Sequence, residues 1–261
     1  YKLNISSSKI FNILKKNKVL KIVNFASETH VDNSIKKPKL FFQNNCISFI
    51  DFIFNIKNYY DLLNDSDKKN FKFINVSTDE IYGSLKNNEA SFTEKSIYSP
   101  QNPYSASKLS AEMYLQSFSN TYGLPYIITN CSNNYGKHQN DEKLIPTVFR
   151  SAIKNKNIPI YGNGRNVRDW IHVDDHSKAI LLLLKKGKNY NRYNIGSNSE
   201  LTNLQIVNKI CTLLDKKIPK QISYKKQIRF VTDRPGHDFR YSINPNKIKR
   251  ELKWKSKIKI D

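Results

Sequence analysis

Two short stretches place side chains that could do chemistry at useful spacings. Residues 77–83 read STDEIYG and set a hydroxyl, Thr78, directly before two carboxylates, Asp79 and Glu80. They follow FKFINV (71–76), an apolar segment that reads as a buried strand. Charge beside a core is costly unless it is paired or put to use. The second stretch, YSASK, sets Tyr104 and Lys108 at i and i+4, on one helix face. A cation beside a phenol favours the phenolate. Such a tyrosine can take the proton of an alcohol while a hydride leaves the same carbon. The plain alternatives are a solvated turn and a half-buried tyrosine on an amphipathic helix continued by Ala111, Leu115 and Phe118. Each stretch alone is a weak signal, and the second gains weight because the first lies at the mouth of the preceding strand.

The elements that must hold these residues alternate. KIVNFA (21–26), FKFINV (71–76), LPYIITNC (124–131), IPIYG (158–162) and YNIG (193–196) read as strands. Apolar residues at helical spacing over 38–62, among them Phe41, Phe42, Phe49, Phe52, Ile53 and Ile56, predict a helix. Pro103 suits the first turn of a helix running to about Thr121. EKLIPTVFRSAIKN opens another, and shorter helices are predicted near 174–187, 203–215 and 245–253. This alternation indicates a parallel sheet with crossover helices. From about residue 160 the elements shorten, as in a smaller lobe interleaved with the sheet.

Composition narrows the function classes. The 261 residues are 38% hydrophobic and 12% aromatic, enough for a substantial core. No apolar run approaches the ~20 residues of a membrane span, and the N-terminus has no apolar leader. The expectation is a cytoplasmic protein without a membrane anchor. Cys46, Cys131 and Cys211 are too scattered for a disulfide framework or a metal site, and Cys46 and Cys211 read as core thiols. His172 and His176 flank Asp174 and Asp175, yet VDDH reads better as a helix start with an aspartate cap than as a metal site. His138 reads as a surface residue. The net charge of +22 comes from short lysine groups at helix ends and loops, without the basic–aromatic alternation of a nucleic-acid platform. It would favour small anionic substrates instead. The first of eight glycines is Gly83, so no G-x-G-x-x-G dinucleotide turn is present, and Gly162-Asn163-Gly164 reads as a plain turn.

Together the motifs resemble the dTDP-glucose 4,6-dehydratases, extended short-chain dehydrogenase/reductases that act on nucleotide sugars. The matching stretches run almost end to end: NFASETHVDNSI, STDEIYG, YSASKLSAE, YGLPYIITNCSNNYG, EKLIP, IPIYGNGRNVRDWIHVDDH, YNIG and DRPGHDFRY. The resemblance implies an α/β fold: a doubly wound, Rossmann-like parallel-sheet domain over residues 1–158, missing its first βαβ strands, and a smaller nucleotide-sugar lobe over 159–261. It implies NAD as cofactor, no metal, and a homodimer through a helix bundle formed by the helices at 38–62 and after Pro103, with Phe42, Phe49 and Phe52 as apolar contacts.

The resemblance also implies roles. Tyr104, assisted by Lys108, would take the sugar O4 proton while hydride passes from C4 to NAD. Thr78 would hydrogen-bond O4. Glu80 would remove the C5 proton, and Asp79 would protonate the departing C6 hydroxyl before hydride returns to C6. Phe25, Ala26, Ser27, Glu28 and Thr29 would lie beside the nicotinamide ribose, with Asn44 and Asn134 on the cofactor side. Thr29 and Asn133 would meet the sugar, and Lys143 and Leu144 the diphosphate. Pro159, Ile160 and Tyr161 would form the thymine pocket, and Arg168 would clamp phosphate. Asn203 and Asp233, Arg234, Pro235, Gly236 and His237 would complete the nucleotide site.

The chain departs from the family pattern at its start. Tyr1 aligns near the family's third strand, Lys2–Ile5 read as the end of that strand, and Asn4 stands where an aspartate often meets the adenine. Ser27 replaces an alanine, Thr29 a serine, Asn44 a threonine and Asp141 a proline. A fragment of a longer gene is the favoured expectation over a natural shortening, with weak or no NAD binding by these 261 residues alone and a final helix absent. The rival readings are an epimerase or decarboxylase on the same fold, which would not need Asp79 and Glu80 as acid and base, and a non-catalytic remnant.

Overall fold

The computed structural model describes residues 1–260. The first half holds α1 (Lys9–Lys16), β1 (Lys21–Asn24), α2 (Val31–Lys36), α3 (Pro38–Phe42), α4 (Ser48–Asp61), α5 (Asp65–Asn70), β2 (Lys72–Thr78), α6 (Pro103–Tyr122), β3 (Ile127–Cys131) and β4 (Asn133–Tyr135). The second half holds α7 (Leu144–Ile153), β5 (Ile158–Tyr161), β6 (Val167–His172), α8 (Val173–Lys186), β7 (Asn191–Ile195), β8 (Glu200–Thr202), α9 (Asn203–Lys217), β9 (Ile228–Val231) and α10 (Asn246–Leu252).

The main sheet is four-stranded and parallel, in the order β1-β2-β3-β7. Its strands are apolar on both faces, because helices cover both. Phe73 of β2 enters a cluster with Phe49, Phe52, Ile53 and Ile56 of α4 and Leu115 of α6. Its neighbour Ile74 points the other way, to Ala179, Ile180 and Leu183 of α8. Ile128 and Ile127 of β3 divide in the same manner. Each such side chain contributes roughly 1.5–3 kcal/mol by burial.

The smaller lobe pairs β5 with β9 in parallel and packs Ile158 and Ile160 against Val148 of α7 and Val207 and Cys211 of α9. A second small sheet, β4-β6-β8, joins the lobes: Asn133 of β4 registers with Trp170 of β6, and Arg168 of β6 with Leu201 of β8. Cys46 and Cys211 are buried, and His138 is exposed. Among the described residues no helix is long and apolar enough to cross a membrane.

Several sequence expectations change. Lys2–Ile5 form no strand: the Asn4 side chain accepts the Ser6 N–H at 3.0 Å, an Asx turn that leads into α1. The helix at 38–62 is broken by a π-helical turn, Gln43–Ile47, between α3 and α4. Phe49 and Phe52 are buried against β2, so only Phe42 of the three phenylalanines named for the dimer face is exposed. Helical spacing marks an apolar stripe but does not say whether its own sheet or a partner covers it. The start of α8 is capped by His172, whose Nδ1 accepts the Asp174 N–H at 3.2 Å, and not by an aspartate.

Candidate active site

Ligands of open α/β sheets bind beyond the carboxyl ends of the strands. Here β2 ends at Thr78 and β3 at Cys131, in register. The chain leaves β2 in one 3₁₀ turn, Asp79–Tyr82, started by the Thr78 hydroxyl, which accepts the Glu80 N–H at 3.3 Å. Gly83 closes the turn at φ +87°, where a Cβ would lie 2.5 Å from the Ser99 carbonyl oxygen. The turn therefore delivers Asp79 and Glu80 side by side at the strand mouth.

Helix α6 supplies the opposite wall. The Asn102 side chain accepts the Ser105 N–H at 2.9 Å, Ser105 Oγ accepts the Asn102 N–H at 3.3 Å, and Pro103 fills the first helical position. Tyr104 and Lys108 follow one turn apart, and both line the same cavity as Thr78, Asp79 and Glu80, of about 390 Å³. Lys108 Nζ donates to the Val76 carbonyl at 2.9 Å, which docks α6 on the end of β2. Burial, joined by the charge of Glu80, holds the Tyr104 hydroxyl well above the usual phenol range, against the lowering expected from Lys108. Lys108 itself is lowered by burial.

The two carboxylates sit in different surroundings. Asp79 is 3% exposed, and its Oδ2 has no hydrogen-bond partner. Burial first, then the charges of Glu80 and Asp169, hold it well above the usual carboxylate range. Glu80 accepts the Tyr241 hydroxyl at 3.2 Å and Asn102 Nδ2 at 3.4 Å. The Tyr241 oxygen also lies against Asp238, so its one proton is shared between the two carboxyl groups, and its ring carries the Arg168 guanidinium at 4.2 Å. Burial pushes Asp238 up to about 6. Tyr241 and Asp238 were not singled out from the sequence.

The remaining expected residues divide. Phe25, Ser27, Thr29, Asn133, Asn134, Lys143 and Leu144 line the cavity with the carboxylates. A second cavity, of about 400 Å³, shares Thr29, Glu80, Asn133, Lys143, Leu144 and Trp170 with the first. It also gathers Pro159, Ile160, Tyr161, Arg168, Asn203, Arg234 and His237. Ala26, Glu28, Asn44, Asp233, Pro235 and Gly236 line neither. Glu28 Oε1 accepts Asn44 Nδ2 at 3.1 Å, and Asp233 Oδ1 sits 2.6 Å from His237 Nδ1, so these act as backing to the walls. Arg168 is committed to the backbone, donating to Val167 O at 2.7 Å and Asp238 O at 3.0 Å. Arg234 is bound to Asp32 at 3.2 Å, and its Nε remains unpartnered. Asp32 also accepts the Tyr161 hydroxyl at 3.0 Å.

Asn45, inside the π turn, is a further residue that sequence spacing treats as part of an apolar stripe. Its Oδ1 accepts the Glu28 N–H at 2.8 Å and the Ser27 hydroxyl at 3.1 Å, while its Nδ2 donates to Ser107 at 2.9 Å. A π turn inside a helix often sits at such a site. His176 is held by Asn134 at 2.9 Å, and burial lowers it to about 4, which keeps it neutral. Among the described residues no group of three His, Cys, Asp or Glu is placed to hold a metal.

The comparisons with known proteins agree with this geometry. Residues 4–261 match the sequence model of the family described as GDP-mannose 4,6 dehydratase. A dTDP-glucose 4,6-dehydratase of Shigella flexneri is 47% identical over 242 residues, which are 90% of this chain and 67% of that protein. The chain belongs to the dTDP-glucose 4,6-dehydratase family. The dehydratase of Haemophilus influenzae is 44% identical over 97% of this chain and 76% of its own length. Among solved dehydratases, that of Streptomyces venezuelae, with NAD bound, superposes with a TM-score of 0.87 at 34% identity, over 99% of this chain and 74% of that one. The Bacillus anthracis dehydratase, in complex with NAD, gives 0.83 at 41%, over the same shares. A UDP-glucose 4-epimerase of Thermotoga maritima, at 0.86 and 24%, shares the fold.

The dehydratase-family cofactor is NAD, and the first cavity suits its nicotinamide–ribose end. Aromatic Phe25, the Tyr104–Lys108 face and the strand end at Ser132–Asn134 enclose it. The enclosed Ser132 hydroxyl and His176 Nε2 have no protein partner, and both belong to its lining.

Proposed function

We propose that this chain carries out the redox-neutral dehydration of dTDP-glucose to dTDP-4-keto-6-deoxyglucose. The observation that carries the reading is the unequal carboxyl pair at the mouth of β2. Asp79 is buried with no ion-pair contact and is held toward the acid form by burial and the charges of Glu80 and Asp169, which outweigh Arg168. Glu80 accepts hydrogen bonds from Tyr241 and Asn102. Neighbouring carboxyls with divergent environments divide into acid and base.

NAD, when bound, accepts a hydride from the sugar C4 and returns it to C6. Ser27, Tyr104, Lys108, Asn134 and the Phe25 ring would hold it. As the phenolate, Tyr104 would receive the O4 proton while the alcohol is oxidised, with the Lys108 cation one turn along α6 favouring that anion and Thr78 bonding O4. The resulting ketone acidifies C5. Glu80 takes the C5 proton, and Asp79 gives its proton to the C6 hydroxyl, which leaves as water. Glu80, after exchange with solvent, then returns a proton to C5 as C6 is reduced, and the proton taken up by Tyr104 passes through solvent to Asp79, so atoms and electrons balance.

The second cavity fits the nucleotide half of the substrate, with Pro159, Ile160 and Tyr161 against the base and Arg234, Arg168 and Lys143 as the cationic side facing the diphosphate. Asn203 and His237 complete that wall, with Asp233, Pro235 and Gly236 backing it. In this reading residues 1–158 serve the cofactor and 159–261 mainly the nucleotide sugar. A cytoplasmic homodimer belongs to the same proposal, with exposed Phe42 and Phe54 on the α3–α4 side and Tyr114 and Tyr122 of α6 as its apolar surface.

The test is incubation of the chain, extended by the family's first βαβ unit ahead of Tyr1 to supply the dinucleotide turn, with dTDP-glucose and NAD in deuterated water. The expected product is lighter than the substrate by the elements of water and carries one solvent deuterium at C5. An epimerised sugar with no loss of water would replace this reading with that of an epimerase.

A further inference from the structure

A strongly charged cavity outside the active site lies at the opposite end of the main sheet. It is about 560 Å³ in volume, within the range of small-ligand sites. Tyr126, just before β3, and Asn191 and Arg192, opening β7, stand at its rim. Cys131, at the other end of β3, lines the active site, about 17 Å away along the strand at the usual rise per residue. The two cavities share no lining residue.

Four cations line it: Lys95, Arg192, Lys247 and Arg250. Glu94 is the carboxylate among the lining residues, and one of its oxygens already accepts the Asn194 N–H at 2.9 Å. Arg192 is 7% exposed. Its NH1 is bound to Glu112 and Asn130, but NH2 is enclosed with no hydrogen-bond acceptor. An enclosed, unsatisfied guanidinium nitrogen calls for a partner. Lys247 Nζ spends two of its three protons on Asn191 Oδ1 and the Arg192 carbonyl, at 2.9 and 2.8 Å, and keeps one. Three tyrosines, Tyr98, Tyr126 and Tyr190, supply apolar walls on the same cavity. Tyr98 lies under the Arg192 guanidinium at 5.2 Å, and Tyr126 and Tyr190 meet edge to face at 6.2 Å.

We infer that this cavity is a second binding site, for a small organic anion that carries a flat aromatic ring. The anionic group meets the cations at the start of β7 and on α10, and the ring lies against the tyrosines. Four cations against the single lining carboxylate of Glu94 select the charge, and planar walls select the ring.

The test uses phenyl phosphate and inorganic phosphate as probes on the whole chain, by calorimetry and ligand-observed NMR. Phenyl phosphate is expected to bind saturably, and inorganic phosphate several-fold more weakly. Lys95 and Arg250 are exposed, so the double variant Lys95→Ala/Arg250→Ala keeps the fold, which a thermal melt checks. It is expected to weaken phenyl phosphate by about 10-fold or more, the scale of a lost charge-assisted hydrogen bond. Tyr190→Ala should weaken phenyl phosphate and leave inorganic phosphate unchanged. Arg234→Ala, in the nucleotide cavity, should alter neither affinity at this site. Absence of saturable phenyl phosphate binding overturns the inference. So does binding that Arg234→Ala abolishes while the double variant keeps it. Equal affinity for the two probes overturns the ring's part in recognition.

Discussion

Two buried carboxylates on facing elements have opposite fates. Glu112 of α6 is fully enclosed and is met by Arg192 and by Asn130 Nδ2 at 2.9 Å. Asp79, equally enclosed, has no cation against it and one bare oxygen. The first ties α6 to β3 and β7 across the sheet, so its charge is neutralised within the protein. The second is left unneutralised at a cavity, so the group keeps its proton and can give it away. Burial alone does not separate structure from chemistry; the presence or absence of a counter-charge does.

The comparison can be broken at either end. Asp79→Asn is expected to slow formation of the keto product by roughly 10²–10⁴-fold, the range of a lost general acid. Its unfolding free energy should change by less than about 1 kcal/mol, because a neutral amide replaces a neutral acid. Product assay and urea denaturation read the two numbers on one preparation. Arg192→Met should do the reverse, lowering stability by about 3–5 kcal/mol because it strands the Glu112 charge. If urea denaturation showed this variant as stable as the parent, Glu112 would not need its partner.

Asp238 offers a finer test, since it sits between these extremes. Its carboxyl is raised to about 6 by burial, so the folded chain holds a proton that the unfolded chain releases above the ordinary value of 3.8. Stability from this group is therefore full below that value and is lost as pH rises through about 6. Asp238→Asn should remove that loss, a gap of roughly 1–3 kcal/mol between pH 4 and 7 in paired denaturation curves. The smallest effect is expected from Tyr241→Phe. It removes the single hydroxyl that Glu80 and Asp238 share, and should lower the unfolding free energy by about 0.5–1.5 kcal/mol in urea denaturation.

The strands β1, β2, β3, β5 and β7, the main helices and the carboxyl and Tyr–Lys groups were legible in the sequence because each is written in consecutive residues or in one helical turn, whereas β4, β6 and β8 were not. Other features depend on contacts that no local period encodes. Tyr241 reaches Glu80 across 161 positions, and Arg234 reaches Asp32 across 202. Resemblance implies a phosphate role for Arg168, but no local pattern shows that two of its nitrogens also donate to backbone carbonyls. Phe49 and Phe52 had the right spacing for an apolar face but not the sign of that face. The smaller lobe's strand β9 carries charge within a short run and is fixed by pairing with β5.

The π turn at Gln43–Ile47 has a further consequence, for insertions and deletions. One residue removed there would restore ordinary α winding with α3 and α4 still nearly in phase, because five residues of the wider π winding and four of α winding turn through about the same angle. It would, however, remove the bulge that holds Asn45. Asn45 would then leave the loop at Ser27–Glu28 and the Ser107 hydroxyl, all of which hang on its one amide. The exposed neighbour Ile47 is free to change identity. The length of this helix is not free to change, and a single-codon deletion here would be felt at the cofactor loop and at Lys108 together.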